Sequence, residues 1–338
     1  MSIEISERNL LFEKSITLIE NARKSVIQNI NQTMVKTYFE IGRLIVEDEQ
    51  DGKSRAKYGD EVLSELSTRL SKEFGKGFSL TNLKQMRQMY LIYSISQTVS
   101  DHFKLSWSHY LKLMRVIDLN ERNFYEIESF KNNWSLRELQ RQMDTALYQR
   151  LILGKDKNQI LELSKSGQII ESAKDIIKDP YILEFTGFPE LQLYSESELE
   201  KKIIDKLEHF LLELGNGFTF VARQKRISID ENHFRIDLVF YNRFLKSFVL
   251  IDLKIGELKH QDIGQMQMYV NYYDRYIKLD DENKTVGIIL CQDKSDLLVK
   301  ITLPENNEQI YASRYMTILP SKEDLIKLLN EDILSNEM

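Results

Sequence analysis

The placing of proline divides this chain before any motif is considered. All four prolines, Pro180, Pro189, Pro304 and Pro320, lie in the second half. Proline removes a backbone donor and clashes inside a helix. Its absence from the first 179 residues therefore predicts a mostly helical first half. Apolar residues recur there at helical spacing, with Leu63, Leu66 and Leu70 on one stripe and Leu83, Met86 and Tyr90 on another. Gly75 and Gly77 break the chain before a helix expected to start near Ser79. Ser135 with Glu138 makes a capping box that opens a helix expected to reach about Leu151. A length of 338 residues is more than one core comfortably fills and suits two domains.

The pattern changes across residues 154–195, which are polar at first and then carry Pro180, Gly187 and Pro189. A boundary near residue 180 gives a helical domain over 1–180 and a second domain over 181–338. Glu196 to Leu214 reads as one helix, stopped at Gly215-Asn216-Gly217. Strand-like runs follow at Phe218–Ile229, Phe234–Tyr241 and Ser247–Lys254, then a helix from about Leu258 to Lys278. Val286 to Cys291 is wholly apolar, as a strand buried on both faces should be. Ser321 with Asp324 caps a last short helix. The order is α-β-β-β-α-β, so the second half is an α/β or α+β domain.

Two of these strands are interrupted by acids. Asp237 sits in Arg235-Ile236-Asp237-Leu238-Val239-Phe240-Tyr241, and Asp252 in Phe248-Val249-Leu250-Ile251-Asp252-Leu253-Lys254. Aspartate is disfavoured in strands, so both need a reason. Lys254, two residues after Asp252, shares its face. If the two runs form a hairpin turning around Arg243–Lys246, facing residues have numbers that sum to 489, and Asp237 lies opposite Asp252. Cross-strand Cβ atoms are about 4.5–5.5 Å apart, and two carboxylates at that distance repel unless a cation lies between them. A divalent ion with hard oxygen ligands is the economical answer, and Mg²⁺ takes one or two carboxylates with water and phosphate oxygens. Asp237 and Asp252 would hold the ion, helped by the backbone carbonyl of Leu253. Lys254 would orient or activate the attacking water, or offset developing negative charge. The plainer alternative is a pair of solvent-facing acids with a lysine as salt-bridge partner.

Asp237 followed by Asp252-Leu253-Lys254 resembles the PD-(D/E)XK nuclease signature. Ile236 stands where the name-giving proline would be, and Asp252 where glutamate is frequent. Gln265-Met266-Gln267-Met268-Tyr269 resembles the Gln-x-x-x-Tyr motif of the RecB-like branch, and its Gln265 and Tyr269 share one helix face. The resemblance implies that these two contact the substrate backbone or position the lysine. It also implies an acid from the first core helix, for which Glu196, Glu198 and Glu200 are candidates and Glu200 is favoured. Tyr38-Phe39-Glu40-Ile41-Gly42, Phe78 to Leu83, Leu105 to Tyr110, Trp134 to Leu139 and Gly264-Gln265-Met266 resemble, in order and spacing, the YhcG-type bacterial proteins. Those join an N-terminal helical domain to a restriction-endonuclease-like nuclease domain. The resemblance thus implies a Mg²⁺- or Mn²⁺-dependent deoxyribonuclease cutting phosphodiester bonds. The rival readings are a catalytically inactive nuclease fold serving as a DNA-binding or scaffolding subunit, and a nuclease acting on RNA.

Composition narrows the rest. With 42% hydrophobic and 29% charged residues the chain reads as globular, and no apolar run approaches a membrane span. One cysteine, Cys291, allows no internal disulfide, and the acidic N-terminus does not resemble a signal peptide, so a cytoplasmic location is expected. No phosphate-binding or dinucleotide-binding glycine loop is present, which speaks against use of ATP or NAD. A net charge of −6 leaves room for local basic patches. Lys53, Arg55, Lys57, Arg69, Lys72, Lys76, Lys84 and Arg87 cluster against Asp60, Glu61, Glu65 and Glu73. The helix from Ser79 could be the recognition helix of a winged-helix or helix-turn-helix module, with Lys84 and Arg87 on phosphates and Asn82 or Gln85 on base edges. The alternatives are an ordinary bundle helix and a surface for a protein partner or dimer. A dimer would suit double-strand cutting by one site per chain. His109 among aromatics reads as a satisfied structural histidine, and His260 lacks a second zinc-spaced ligand.

Overall fold

The computed structural model describes residues 2–51, 56–94, 103–152, 156–189, 194–321 and 323–327. Lys53, Arg55, the side chains of Lys57 and Asp60, and residues 154, 155 and 190–193 of the junction lie outside the described residues. Contacts divide the chain into two compact units, Met1–Gln140 and Arg141–Met338.

The first unit is helical, with α1 (Ser2–Asp51), α2 (Ala56–Phe74), α3 (Leu80–Tyr93), α4 (Trp107–Leu113) and α5 (Leu119–Lys131); α6 (Leu136–Asp144) follows. The stripes read from sequence meet in one cluster, except for Tyr90: Leu63, Leu83, Met86 and Ile45 are buried beside Leu66, Leu70, Tyr38, Ile41 and Trp107, while the Tyr90 ring lies 5.2 Å from that of Phe39. Gly75 has a φ of 89° at the end of α2, and Ser79 Oγ caps α3 by accepting from the Asn82 amide at 3.3 Å. Gly42 on α1 lies against the backbone of α3, and a Cβ there would sit 2.1 Å from the Met86 carbonyl oxygen. No strand occurs among the described residues of this unit, so they form no wing and the winged-helix form of the expectation is not met. The Ser135–Glu138 capping box is present, with the Glu138 amide donating to Ser135 Oγ at 3.3 Å. Its helix ends early, because Ala146 takes a left-handed φ of 47° and separates α6 from α7 (Leu147–Ile152).

In the second unit α8 (Lys157–Ser166) and β1 (Tyr181–Ile182) precede α9 (Glu196–Asp205) and α10 (Leu207–Leu214). Then come β2 (Phe218–Ile229), β3 (Asn232–Asn242), β4 (Ser247–Leu253), α11 (His260–Tyr276), β5 (Val286–Cys291), α12 (Asp296–Thr302) and β6 (Ile310–Met316). The expected α-β-β-β-α-β order is there. The single expected helix from Glu196 is two, since Lys206 leaves helical geometry at φ −123° and ψ 34°. The six strands run in the order β1-β6-β5-β4-β3-β2, antiparallel from β2 to β4 and parallel from β4 through β6 to β1. One face packs on α9 and α10 through Leu199, Ile203, Phe210, Leu238, Phe240, Ile251 and Leu253. The other packs on α11 through Val239, Leu250, Ile263, Met266, Tyr269, Val270 and Ile289. Gly287 on β5 permits this second contact, because a Cβ there would meet the Met266 side chain at 2.6 Å.

The stretch after Arg141, read from sequence as the end of the first half, is tied to the second unit by charge. Glu213 on α10 is wholly buried. Its carboxylate accepts from Arg150 Nη1 at 2.6 Å and Arg141 Nη1 at 3.2 Å, while Lys178 donates to its backbone carbonyl. Arg141 also pairs with Glu184 at 2.7 Å, and Arg150 donates to the Pro180 carbonyl at 3.0 Å. Burial opposes ionisation of Glu213, but Arg150, Lys178 and Arg141 outweigh it and hold the carboxyl down at about 2. A carboxyl so depressed stabilises the fold fully above its unfolded value of about 4.3 and loses that contribution as pH falls towards 2. Glu213→Gln leaves buried cations around a neutral amide and should cost about 3–5 kcal/mol in urea unfolding at neutral pH. Unchanged stability would contradict this account of how the segment is anchored.

Candidate active site

The β3–β4 ladder has the register that symmetry about the turn requires, running from Asn242↔Ser247 to Leu238↔Ile251. Asp237 and Asp252 are the next residues on either strand. The ladder stops there because Asp237 turns its carboxylate into the gap, where Oδ2 accepts the Leu253 backbone N–H at 2.8 Å. Asp252 alternates with Ile251 and Leu253 and so lies on the α11 side of a central strand, 2% exposed. Burial first, and the nearby Asp237 second, push its carboxyl up to about 7, against the pull of Lys254. Lys254 Nζ is 2.8 Å from Asp252 Oδ2 and 4.0 Å from Glu196 Oε2. Burial disfavours the ammonium, but Asp252 outweighs it, so the lysine is held above its ordinary value.

The three helix acids have different positions. Glu198 closes the cap of α9, accepting from the Ser195 N–H and Oγ, each at 2.8 Å. Glu196 accepts from the Ile255 N–H at 3.4 Å and faces Lys254. Glu200, the acid favoured from sequence, is buried beside Asp237, and one residue joins the two: Gln224 Nε2 donates to Glu200 Oε2 and, at 3.0 Å, to Asp237 Oδ1. Burial and Asp237 raise the Glu200 carboxyl, although the Gln224 amide opposes them. Gln224 was not expected. It lies on β2 between the pairs Arg223↔Leu238 and Lys225↔Ile236, facing Asp237, and has a left-handed φ of 46°. Such backbone in a non-glycine residue is strained and clusters at functional sites. In sequence Gln224 is one polar residue in an edge strand and carries no signal.

Gln265 and Tyr269 do meet. Gln265 Nε2 donates to the Tyr269 hydroxyl, which donates to the Arg235 carbonyl at 2.8 Å. The pair therefore props β3 two residues before Asp237; no hydrogen bond from either reaches Lys254.

Whether this group suits a metal ion can be tested on its own atoms. Asp252 Oδ2 is buried, and the nearby Lys254 ammonium lies off the line of a hydrogen bond, so the oxygen has no aligned donor. Among the described residues no cage of three or more His, Cys, Asp or Glu is assembled. Mg²⁺ does not require one, since it uses one or two carboxylates and keeps its waters. Asp237 and Asp252 fit that demand.

The N-terminal candidates behave differently. The Asn82 amide donates to the Gly77 carbonyl and its oxygen accepts from Trp107 Nε1 at 2.8 Å, so reading a base would break both bonds. Arg87 Nε is paired with Glu49 at 2.7 Å, and Lys84 is exposed on the same helix. In this structure Asn82 and Arg87 tie α3 to its neighbours. His109 has both ring nitrogens engaged, by Ser106 Oγ at 2.6 Å and the Trp134 carbonyl at 3.0 Å, and His260 is exposed.

No described helix is long and apolar enough to cross a membrane. Residues 174–330 match the family model described as the YhcG PDDEXK nuclease domain, and residues 15–150 the DUF1016 N-terminal domain. The chain is 36% identical to YhcG of Escherichia coli (strain K12), with 92% of this chain and 90% of that protein covered. Among solved structures, a repair endonuclease from Pyrococcus abyssi is similar at 19% identity and a TM-score of 0.25, over 39% of this chain and 50% of that one. EndoMS in complex with double-stranded DNA is similar at 20% identity and a TM-score of 0.26, over 40% and 49%. Structural similarities that low carry no weight beside the sequence matches. On those matches the chain belongs to the YhcG family, with a DUF1016 N-terminal domain followed by a YhcG-type PD-(D/E)XK nuclease domain.

Proposed function

We propose that the chain is a Mg²⁺- or Mn²⁺-dependent deoxyribonuclease of the cytoplasm, with its active site at Asp237, Asp252 and Lys254. The observation that carries this reading is the end of the β3–β4 ladder. Two carboxylates follow its last pair, one with a buried oxygen that lacks an aligned donor, and a lysine ammonium stands 2.8 Å away. A divalent cation, when bound, supplies the Lewis acidity that polarises the phosphate and the attacking water. Asp237 and Asp252 would hold it, with Glu200 at the edge of the group. Lys254, held protonated by Asp252, acts as a donor that orients water and offsets charge developing on the phosphate. Gln224 spaces Glu200 from Asp237, and Tyr269 fixes the strand that carries Asp237.

Incubation with plasmid, linear and single-stranded DNA tests the reading. Cleavage should require the cation, and Asp237→Ala, Asp252→Ala and Lys254→Ala should each lower it by about a hundredfold or more. Full cleavage by all three variants would overturn the assignment.

Metal uptake has a pH signature. Below about 7 the Asp252 carboxyl holds a proton that binding must displace. Mn²⁺ affinity should fall by about tenfold per pH unit below that value, with about one proton released per ion in calorimetry across buffers of different ionisation heat. Uptake independent of pH in that range would contradict a role for Asp252 as ligand.

Gln224→Glu places a third carboxylate against Glu200 and Asp237. In chelator it should lower stability by roughly 1–3 kcal/mol, and Mn²⁺ should restore more stability to it than it adds to the wild type. Equal melting of the two proteins in chelator would show that Gln224 does not space the acids.

A further inference from the structure

β4 pairs with β3 only from Leu238 to Asn242. Beyond that point β3 has a single partner, β2, with pairs from Lys225↔Ile236 to Ile229↔Asn232. Residues 225–236 are thus a two-stranded arm that continues past the candidate site. A lone two-stranded ribbon is marginal in water, and this one is supported on one face. Ile227 and Ile236 are buried, with Phe234 beside them, in the cluster that includes Ile263, Met266 and Tyr269 of α11.

The opposite face follows from strand alternation. Arg226 faces Arg235, and Ser228 faces His233, whose Nδ1 is 3.0 Å from the Ser228 hydroxyl. Arg226, Arg235, Arg223 and Lys225 are all exposed. Among the described residues no carboxylate forms an ion pair with Arg226 or Arg235. Like charges directly opposite each other on a ribbon are destabilising, and the only acids of the arm, Asp230 and Glu231, are at its tip. A chain of net charge −6 therefore concentrates positive charge on one ribbon beside its acidic site. The arm is also fastened to that site, because the Tyr269 hydroxyl holds the Arg235 carbonyl at 2.8 Å. Arg235 stands two residues from Asp237, about 6–7 Å along a strand, which puts the positive charge of the arm next to the candidate site.

We propose that the β2–β3 arm is the DNA-holding element, with the Arg226–Arg235 pair on the sugar–phosphate backbone next to the bond that is cut. This rests on the nuclease reading above but needs no metal, so the two can fail separately.

The test is anisotropy of a fluorescent 30-base-pair duplex titrated with the full chain in EDTA over a range of salt. Arg226→Gln with Arg235→Gln should weaken binding about tenfold or more and flatten the plot of log affinity against log salt by about 1.8, or 0.9 per phosphate contact. The melting temperature should be no lower than that of the wild type, since the substitutions remove a facing pair of like charges. Arg243→Gln, at the exposed turn on the far end of β3, should change neither affinity nor slope. An unchanged affinity and slope in the double variant, an equal loss in Arg243→Gln, or no binding by the wild type in EDTA would overturn the arm. Cleavage in Mg²⁺ is scored apart: arm-dependent binding without cleavage would retain the arm and sink the nuclease.

Discussion

Two carboxylates cannot share the end of a buried strand pair in ionised form unless positive charge is supplied. That constraint organises the second unit. β4 is central and desolvates Asp252, while Asp237 ends the ladder by taking the Leu253 N–H. The surrounding elements each manage the resulting charge. α9 brings Glu196 to Lys254, β2 inserts the Gln224 amide between Glu200 and Asp237, and α11 braces β3 through Tyr269. The local instability is bearable because the sheet on either side is buried and the Glu213 cluster anchors α10 to the segment around Arg150 and Pro180.

How much of this could be read beforehand depended on the range of the interaction. The β3–β4 register, which makes Asp237 and Asp252 the residues after its last pair, was legible because a short turn fixes it and one sum locates every pair. The charge on Lys254 followed from its place two residues on. Gln224 was not legible: its role depends on a left-handed backbone at one residue of an edge strand, and polar residues are ordinary there. The helix acids were ambiguous since three glutamates in five residues all lie near the N-terminus of α9. Only packing shows that Glu198 is a cap and that Glu196 and Glu200 attend different parts of the site. β6 was missed because Ile310 to Met316 mixes apolar and polar residues without clean alternation, and its pairing comes from β5 and β1.

The helical unit shows the same limit from the other side. Asn82 and Arg87 have the residue types and spacing of a DNA-reading helix, but their partners, Trp107 and Glu49, lie far away in sequence. Gly42, by contrast, has a reason visible only in three dimensions, the approach of α1 to the Met86 carbonyl. The positive charge proposed to hold DNA is on the arm of the nuclease domain, while Asn82 and Arg87 of the helical unit are engaged within that unit.

The proposed site requires Asp237 and Asp252 together to hold one divalent cation. Anomalous diffraction from crystals soaked in Mn²⁺ tests it most directly. A manganese peak is expected between the two carboxylates in the wild type, and none in Asp252→Asn crystals of the same form. A well-ordered wild-type crystal with Asp237 and Asp252 in place, Mn²⁺ in the soak and no peak between them would contradict it.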